Sequence, residues 1–426
     1  MYIGIDDTDT RGRMCTTYVI YQIVKELHKS IDIIGYPCLV RLNPNIPWKT
    51  RGNGAVCIRI GKGCGKKIKI GFIEGEEIYA YERSYGNPPQ EIIKEVYEIV
   101  ESLREKSSDT GLIFCDKKPE ERFYYTAVRD VIDKIPDIPC TNFFWNKGRG
   151  LIGAYASLAW RGRKKTYECL AYLPQELWHI DRDENLLDVD LIKCLEKKYS
   201  SLFDCYDYEN EYVVMLPRSK TPVLYGVRGT NAEDCLNASL EVMKKCKAKI
   251  DGILLFKTNQ GTDDHIVKKK ISEIKDYNSV RVVGKVSEKP KIIRGGHVIV
   301  KIRDNTGEIE CAAYEPTKNF RNVIMNLVPG DVVEVYGGVC GYPNTINLEK
   351  IKIIKLVDKV VRNPICKKCG IRMESLGKNK GYRCPRCGKK SKGKVLEKIS
   401  REINIGIYEV PPAARRHLSR PSKIDL

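Results

Sequence analysis

Tyr2-Ile3-Gly4-Ile5-Asp6-Asp7-Thr8-Asp9-Thr10-Arg11-Gly12-Arg13-Met14-Cys15-Thr16-Thr17 opens the chain. Residues 2–5 read as a short strand, and residues 17–27 carry Val19, Ile20, Ile23, Val24 and Leu27 at the spacing of one helical face. This predicts a strand–loop–helix unit of an α/β module, with Asp6, Asp7 and Asp9 in the loop. Three carboxylates within four residues at a strand end repel one another, and a half-buried cluster of this kind draws a divalent cation. Mg²⁺ takes one or two protein carboxylates plus phosphate oxygens. The alternative is a polar turn with Thr16 as an ordinary helix N-cap. Spacing alone leaves both open.

Further along, Arg41-Leu42-Asn43-Pro44-Asn45-Ile46-Pro47-Trp48-Lys49-Thr50-Arg51-Gly52-Asn53-Gly54 places two glycines among basic residues. Consecutive backbone N–H groups in such a stretch can cradle an anion, which makes Arg51, Gly52 and Gly54 candidates for phosphate contacts. The order Gly-x-x-x-x-Gly-Lys-Ser/Thr is absent, and no dinucleotide glycine fingerprint follows the first strand. An ATP site here would belong to a less common class.

The 426 residues allow two to four domains. A 42% hydrophobic and 30% charged composition excludes wholesale disorder. No run approaches the roughly 20 apolar residues of a membrane span, and the amino terminus lacks the pattern of a secretory leader. A soluble, cytoplasmic protein is expected. Its 17 cysteines are mostly scattered within apolar runs and read as reduced, four excepted.

Those four lie where the charge is densest. Residues 358–426 hold 19 basic and 6 acidic side chains, so most of the formal charge of +19 sits at this end. Such a surface is the footprint of a nucleic-acid contact, or else a solvated lysine tail. Within it, Cys366, Cys369, Cys384 and Cys387 form two Cys-x-x-Cys pairs, each followed by glycine, the spacing of a zinc ribbon with a structural Zn²⁺. Just before it, residues 279–357 contain five short β-branched segments, at 280–286, 297–303, 309–314, 332–337 and 351–356, separated by Gly, Asn and Pro turns. Five strands in about 80 residues suit an OB barrel. A barrel beside a basic ribbon favours single-stranded or looped nucleic acid.

Taken together, Gly4-Ile5-Asp6-Asp7-Thr8-Asp9, Met14-Cys15-Thr16-Thr17-Tyr18, Arg41-Leu42-Asn43-Pro44-Asn45-Ile46-Pro47, Arg149-Gly150-Leu151-Ile152-Gly153-Ala154 and Asn259-Gln260-Gly261-Thr262-Asp263 occur in the order found in the archaeal tRNA(Ile) 2-agmatinylcytidine synthetases, and the chain resembles that family over nearly its whole length. One departure is Arg13, where the family usually has glycine before Met-Cys. The resemblance implies a multidomain α+β protein. An atypical kinase-like α/β domain that uses ATP would occupy 1–146, a ferredoxin-like domain 147–266, an OB-fold barrel 279–357 and a zinc ribbon 364–391, with a basic tail over 392–426.

For the second domain, residues 151–160, 166–173, 212–216, 223–227 and 252–256 read as strands and 189–198 and 231–245 as helices, a split βαβ pattern. By the same resemblance, Asp6, Asp7 and Asp9 are metal and catalytic carboxylates, and Thr16 takes up phosphate during the cycle, with Thr17 the neighbouring alternative. ATP, Mg²⁺ and Zn²⁺ are the implied cofactors, and agmatine and an isoleucine tRNA with a CAU anticodon the partners. A guanidinium calls for carboxylates, which nominates Asp263, Asp264 and Glu168 as agmatine ligands, Asp263 first. Two rivals stand beside this reading: another ATP-dependent RNA-modifying enzyme, and a non-enzymatic nucleic-acid-binding protein.

Overall fold

A computed structural model describes residues 1–340 and 345–424. Four residues of the expected barrel and the last two of the expected tail lie outside the described residues. The first half runs β1 (Tyr2–Asp6), α1 (Thr16–Leu27), β2 (Asp32–Ile33), β3 (Cys38–Arg41), β4 (Gly54–Ile73), β5 (Glu76–Gly86), α2 (Ile92–Leu103), β6 (Gly111–Cys115), α3 (Glu121–Arg129), β7 (Thr141–Phe144) and α4 (Gly150–Ala159). Then come β8 (Thr166–Tyr172), α5 (Val189–Lys198), β9 (Tyr206–Asp207), β10 (Tyr212–Val213), β11 (Val223–Gly229), α6 (Ala232–Lys245) and β12 (Gly252–Thr258).

β1 lies between β4 and β6, antiparallel to both. The apolar face foreseen for α1 packs with Ile3 and Ile5 of β1 in the largest core cluster, and each fully buried Ile or Leu there contributes about 1.5–3 kcal/mol. The helix is not capped by Thr16. Cys15 is the N-cap, extended and without a side-chain cap bond, and Thr16 is the first helical residue.

Residues 151–160 form a helix rather than the strand expected from their sequence. Nearly every side chain of α4 is buried, so there is no polar face to display a helical period, and a short apolar run reads equally well as a buried strand. Its glycines let it lie directly on the sheet: a Cβ on Gly4 would meet Ala154 O at 2.5 Å, and one on Gly111 would meet Gly150 C at 2.3 Å.

The second module keeps the ferredoxin-like order. β8 sits between β12 and β11, antiparallel to both, α5 and α6 make the crossovers, and the position of the remaining strand is reduced to one bridge, Leu202 to Gly229. Of the strand expected at 212–216 only Tyr212 and Val213 pair, with β9. Beyond its own module, β12 continues onto β3 in parallel and β4 antiparallel, so the two modules share one ten-stranded sheet.

Two cysteines depart from the expectation of reduced thiols. Cys115 at the end of β6 and Cys140 before β7 are disulfide-bonded, with Cα atoms 5.2 Å apart. The chain reversal through α3 creates this proximity, which a separation of 25 residues does not display.

β13 (Ile266–Lys268) leads into a barrel of β14 (Ser279–Val286), β15 (Lys291–Ile293), β16 (His297–Arg303), β17 (Glu308–Ala313), α7 (Asn319–Met325), β18 (Val332–Cys340) and β19 (Thr345–Lys355). Pairings β14–β18–β19–β17–β16 close through β16 onto β14, as an OB barrel requires. Alternate residues such as Val280, Val282, Val333 and Val335 fill its core.

In the ribbon, Gly370 and Gly388 take the left-handed φ values of 69° and 74° that let each knuckle turn back. Their N–H groups donate to Cys366 O at 2.8 Å and Cys384 O at 2.9 Å. The stretch read as a basic tail returns to the body. Residues Gly406–Glu409 pair with β19, and Val410, Leu418 and Ile424 are buried. Among the described residues no helix is long and apolar enough to cross a membrane.

Candidate active site

A cavity of about 620 Å³ opens where the first module, the sheet of the second and the returning carboxyl-terminal segment meet. Asp6, Asp7, Asp9, Thr16, Arg51, Gly52, Gly54 and Glu168 all border it, whereas Asp263 and Asp264 do not.

The carboxylates are positioned by the turn after β1. Asp7 has a φ of 53°. Its Oδ2 accepts from the backbone N of Asp109 at 3.2 Å, and its carbonyl accepts from Thr110 Oγ1 at 2.9 Å. Asp109 then accepts from the backbone N of Gly148 at 2.6 Å and of Arg149 at 3.0 Å, tying the acidic loop to the start of α4. Burial, and then the neighbouring Asp7 charge, push the Asp6 carboxyl up to about 8, and burial also raises Asp7. Asp9 differs: it pairs with the Arg51 guanidinium and accepts from Thr50 Oγ1 at 3.2 Å. Thr16 is buried and its Oγ1 accepts from Thr8 Oγ1 at 3.3 Å. As the first residue of α1 it lies at the end where a helix favours added negative charge.

Gly52 and Gly54 pack against Arg41. A Cβ at Gly52 would fall 2.7 Å from an Arg41 Nη and 3.1 Å from the His417 ring, and one at Gly54 would fall 2.9 Å from the same Nη. Arg51 also donates to Met14 O, leaving its buried Nη1 without a partner; Arg41 Nε is likewise buried and unpartnered. Burial lowers the Arg51 guanidinium to about 10. Two buried, under-satisfied guanidinium groups beside a cavity suit an anion.

The Asn259–Asp263 stretch is architectural. Asn259 brackets the backbone of Arg41, accepting from its N at 2.7 Å and donating to its O at 2.8 Å, and Gln260 donates to Glu168. Asp263 is occupied by Lys350 and by the backbone N of Arg420 at 2.7 Å, and Asp264 accepts from Tyr124 OH at 2.8 Å. Burial works against the charge on Glu168, but Arg228 at 2.8 Å and Arg41 at 4.0 Å hold its carboxyl below the usual range.

Sequence reasoning missed Asp109, Arg41, Arg228 and the segment Arg415 to His417. His417 borders the cavity, and Arg41, burial and Arg228 hold its imidazole well below its usual range. Arg415 pairs with Asp204 in the second module and with Glu409 at 2.9 Å. Only the pairing of Gly150 with Gly153, four-residue helical packing read as strand, carried a signal.

Zinc has a separate place. The ligand atoms of Cys366, Cys369, Cys384 and Cys387 lie within 4.8 Å of one another, and a tetrahedral Zn–S₄ site needs sulfurs about 3.8 Å apart. The four thiols fit a structural zinc. Asp6, Asp7 and Asp9 do not form a comparable three-ligand group among the described residues.

Family models match along the chain: a TiaS TCKD domain over residues 2–137, a TiaS FLD domain over 148–265, an OB-fold nucleic acid binding domain over 280–354 and a TiaS C-terminal zinc ribbon domain over 363–403. The tRNA(Ile) 2-agmatinylcytidine synthetase TiaS of Methanocaldococcus jannaschii is 37% identical, covering 100% of this chain and 98% of that protein. A crystal structure of TiaS with an isoleucine tRNA and ATP superposes with a TM-score of 0.81 at 36% identity, covering 99% of this chain and 96% of that one. A second, of TiaS with the tRNA, AMPCPP and agmatine, gives 0.80 at 35% identity with the same coverage. The chain belongs to the TiaS family of tRNA(Ile) 2-agmatinylcytidine synthetases.

Proposed function

We propose that this chain is the ATP-dependent ligase that joins agmatine to C2 of the wobble cytidine in the AUA-decoding isoleucine tRNA. The observation that carries the reading is one cavity bordered by the Asp6–Asp9 carboxylates, Thr16 and two under-satisfied arginines. Full-length similarity to TiaS proteins, two of whose structures contain ATP or AMPCPP with the tRNA, supports it.

The bond changes explain why such a cavity is needed. Cytosine C2 is a urea-like carbonyl carbon, and an amine does not displace its oxygen unless that oxygen becomes a leaving group. A phosphoryl group from ATP placed on O2 makes it one. The primary amine of agmatine attacks C2, a C–N bond forms, and phosphate leaves with the former O2. The first module is the phosphoryl-transferring, kinase-like part.

Asp6 and Asp7 are the residues that would hold Mg²⁺, their charge unmatched by any ion pair among the described residues; Asp9 is turned to Arg51 instead. Bound there, Mg²⁺ neutralises charge on the transferring phosphoryl group. Arg41 and Arg51 face the phosphates, with Gly52 and Gly54 making the room they need. Thr16 receives phosphate during the cycle, its charge favoured by the start of α1. Glu168 is the remaining agmatine-side carboxylate, kept ionised by Arg228 and Arg41. The OB barrel and ribbon hold the tRNA, and the reaction belongs to the cytoplasm.

Labelled agmatine incubated with protein, ATP and isoleucine tRNA tests the assignment. Incorporation that requires ATP supports it. Preference for another amine would favour a different RNA-modifying enzyme, and tRNA binding without ATP turnover a non-enzymatic one.

A further inference from the structure

We propose that Trp48 is the surface on which the target cytosine stacks at the mouth of the cavity, an inference that rests on the function proposed above. Enzymes acting on a base take it out of its stack and hold it against aromatic or apolar side chains. Trp48 borders the cavity and yet is 51% exposed. A ring of that size is ordinarily mostly covered when its role is packing.

The exposed ring is also held still. The Arg149 guanidinium sits 5.1 Å from its centroid, and the Tyr277 ring meets it at 6.1 Å and 65°. Arg149 is itself anchored, its Nη2 donating to Ile132 O at 3.2 Å and its backbone N to Asp109 at 3.0 Å. Asn45, three residues before Trp48, donates to the backbone O of Asn278 at 2.9 Å and to Ser279 Oγ at 2.9 Å at the start of the barrel. The indole therefore stands between the OB barrel and the acidic loop, on the route a base must take from a tRNA held by the barrel to Thr16. A cation on an aromatic ring and a fixed plane beside it are what base stacking uses.

The test uses full-length protein and an isoleucine tRNA carrying fluorescent pyrrolocytidine at the wobble position. Binding to unmutated protein should quench the analogue. Trp48→Ala should lose that quenching and bind the tRNA roughly tenfold to a hundredfold more weakly, and Trp48→Phe should restore most of both. Full quenching by Trp48→Ala would overturn the proposal, as would a rise in the KM for ATP with unchanged tRNA affinity, since the ring would then serve adenine. Failure of the unmutated protein to bind or modify the tRNA would overturn this proposal together with the function it rests on.

Discussion

Gly153 of α4 lies so close to Asp6 of β1 that a Cβ at position 153 would fall 1.7 Å from Asp6 Oδ2. The helix and the carboxylate are thus mutually fitted. Gly153→Ala improves helix propensity by about 1 kcal/mol, so the protein should fold, but the carboxylate must move. Misplacement on the ångström scale costs on the order of 100-fold. ATP turnover should fall by that order while the thermal midpoint changes little, and normal turnover in the folded variant would mean that Asp6 is not a working ligand.

Thr16 is separable from any capping role because Cys15 occupies the cap. Thr16→Val keeps the shape and loses the hydroxyl and its contact with Thr8, at a stability cost of about 1 kcal/mol. With γ-labelled ATP, unmutated protein should carry label on Thr16, Thr16→Ser should keep part of it, and Thr16→Val should carry none and incorporate no agmatine. Peptide fragmentation distinguishes Thr16 from Thr17, whose Oγ1 instead contacts Cys15 Sγ at 3.1 Å. Normal agmatine incorporation by Thr16→Val would remove the hydroxyl from the mechanism.

Acid stability should report the junction of barrel and cavity. Burial would raise the Glu349 carboxyl, but His265 at 3.1 Å, Arg416 and Lys350 hold it down at about 2. Its unfolded value is about 4.3, so the folded carboxylate contributes stability above that pH, on the order of 3 kcal/mol, and loses it as pH falls from about 4 toward 2. Glu349→Gln should lower stability at neutral pH and flatten this part of the acid denaturation curve. An unchanged curve would show that the pair does not stabilise the junction.

Ribbon and returning segment should separate. Stripping zinc with a chelator should unfold the ribbon, weaken tRNA binding and flatten its salt dependence, leaving Thr16 labelling by ATP in place. Truncation before Pro411 removes Arg415 and His417 from the cavity wall as well, and should abolish labelling. Labelling that survives the truncation at the normal rate would reduce the segment to a clasp.

Much of this was legible from local pattern. The face of α1, the alternating barrel strands and the cysteine knuckles all depend on spacing within one element, which sequence displays. The helix at Gly150–Ala159 was not, because burial on every side erases its period. Asp263 was misleading for another reason: it sits in a matched motif, but its partners Lys350 and Arg420 arrive from 87 and 157 residues away. The same holds for His417, for the Cys115–Cys140 bond and for the sheet shared by β3, β4 and β12, all of them made by chain return.

The most direct measurement is mass analysis of nucleosides from isoleucine tRNA incubated with the protein, ATP and agmatine. A cytidine heavier by one agmatine less one water, located at the wobble position and absent when ATP is omitted, is the predicted result. Unmodified cytidine after ATP has been consumed, or an adduct formed without ATP, would contradict the account.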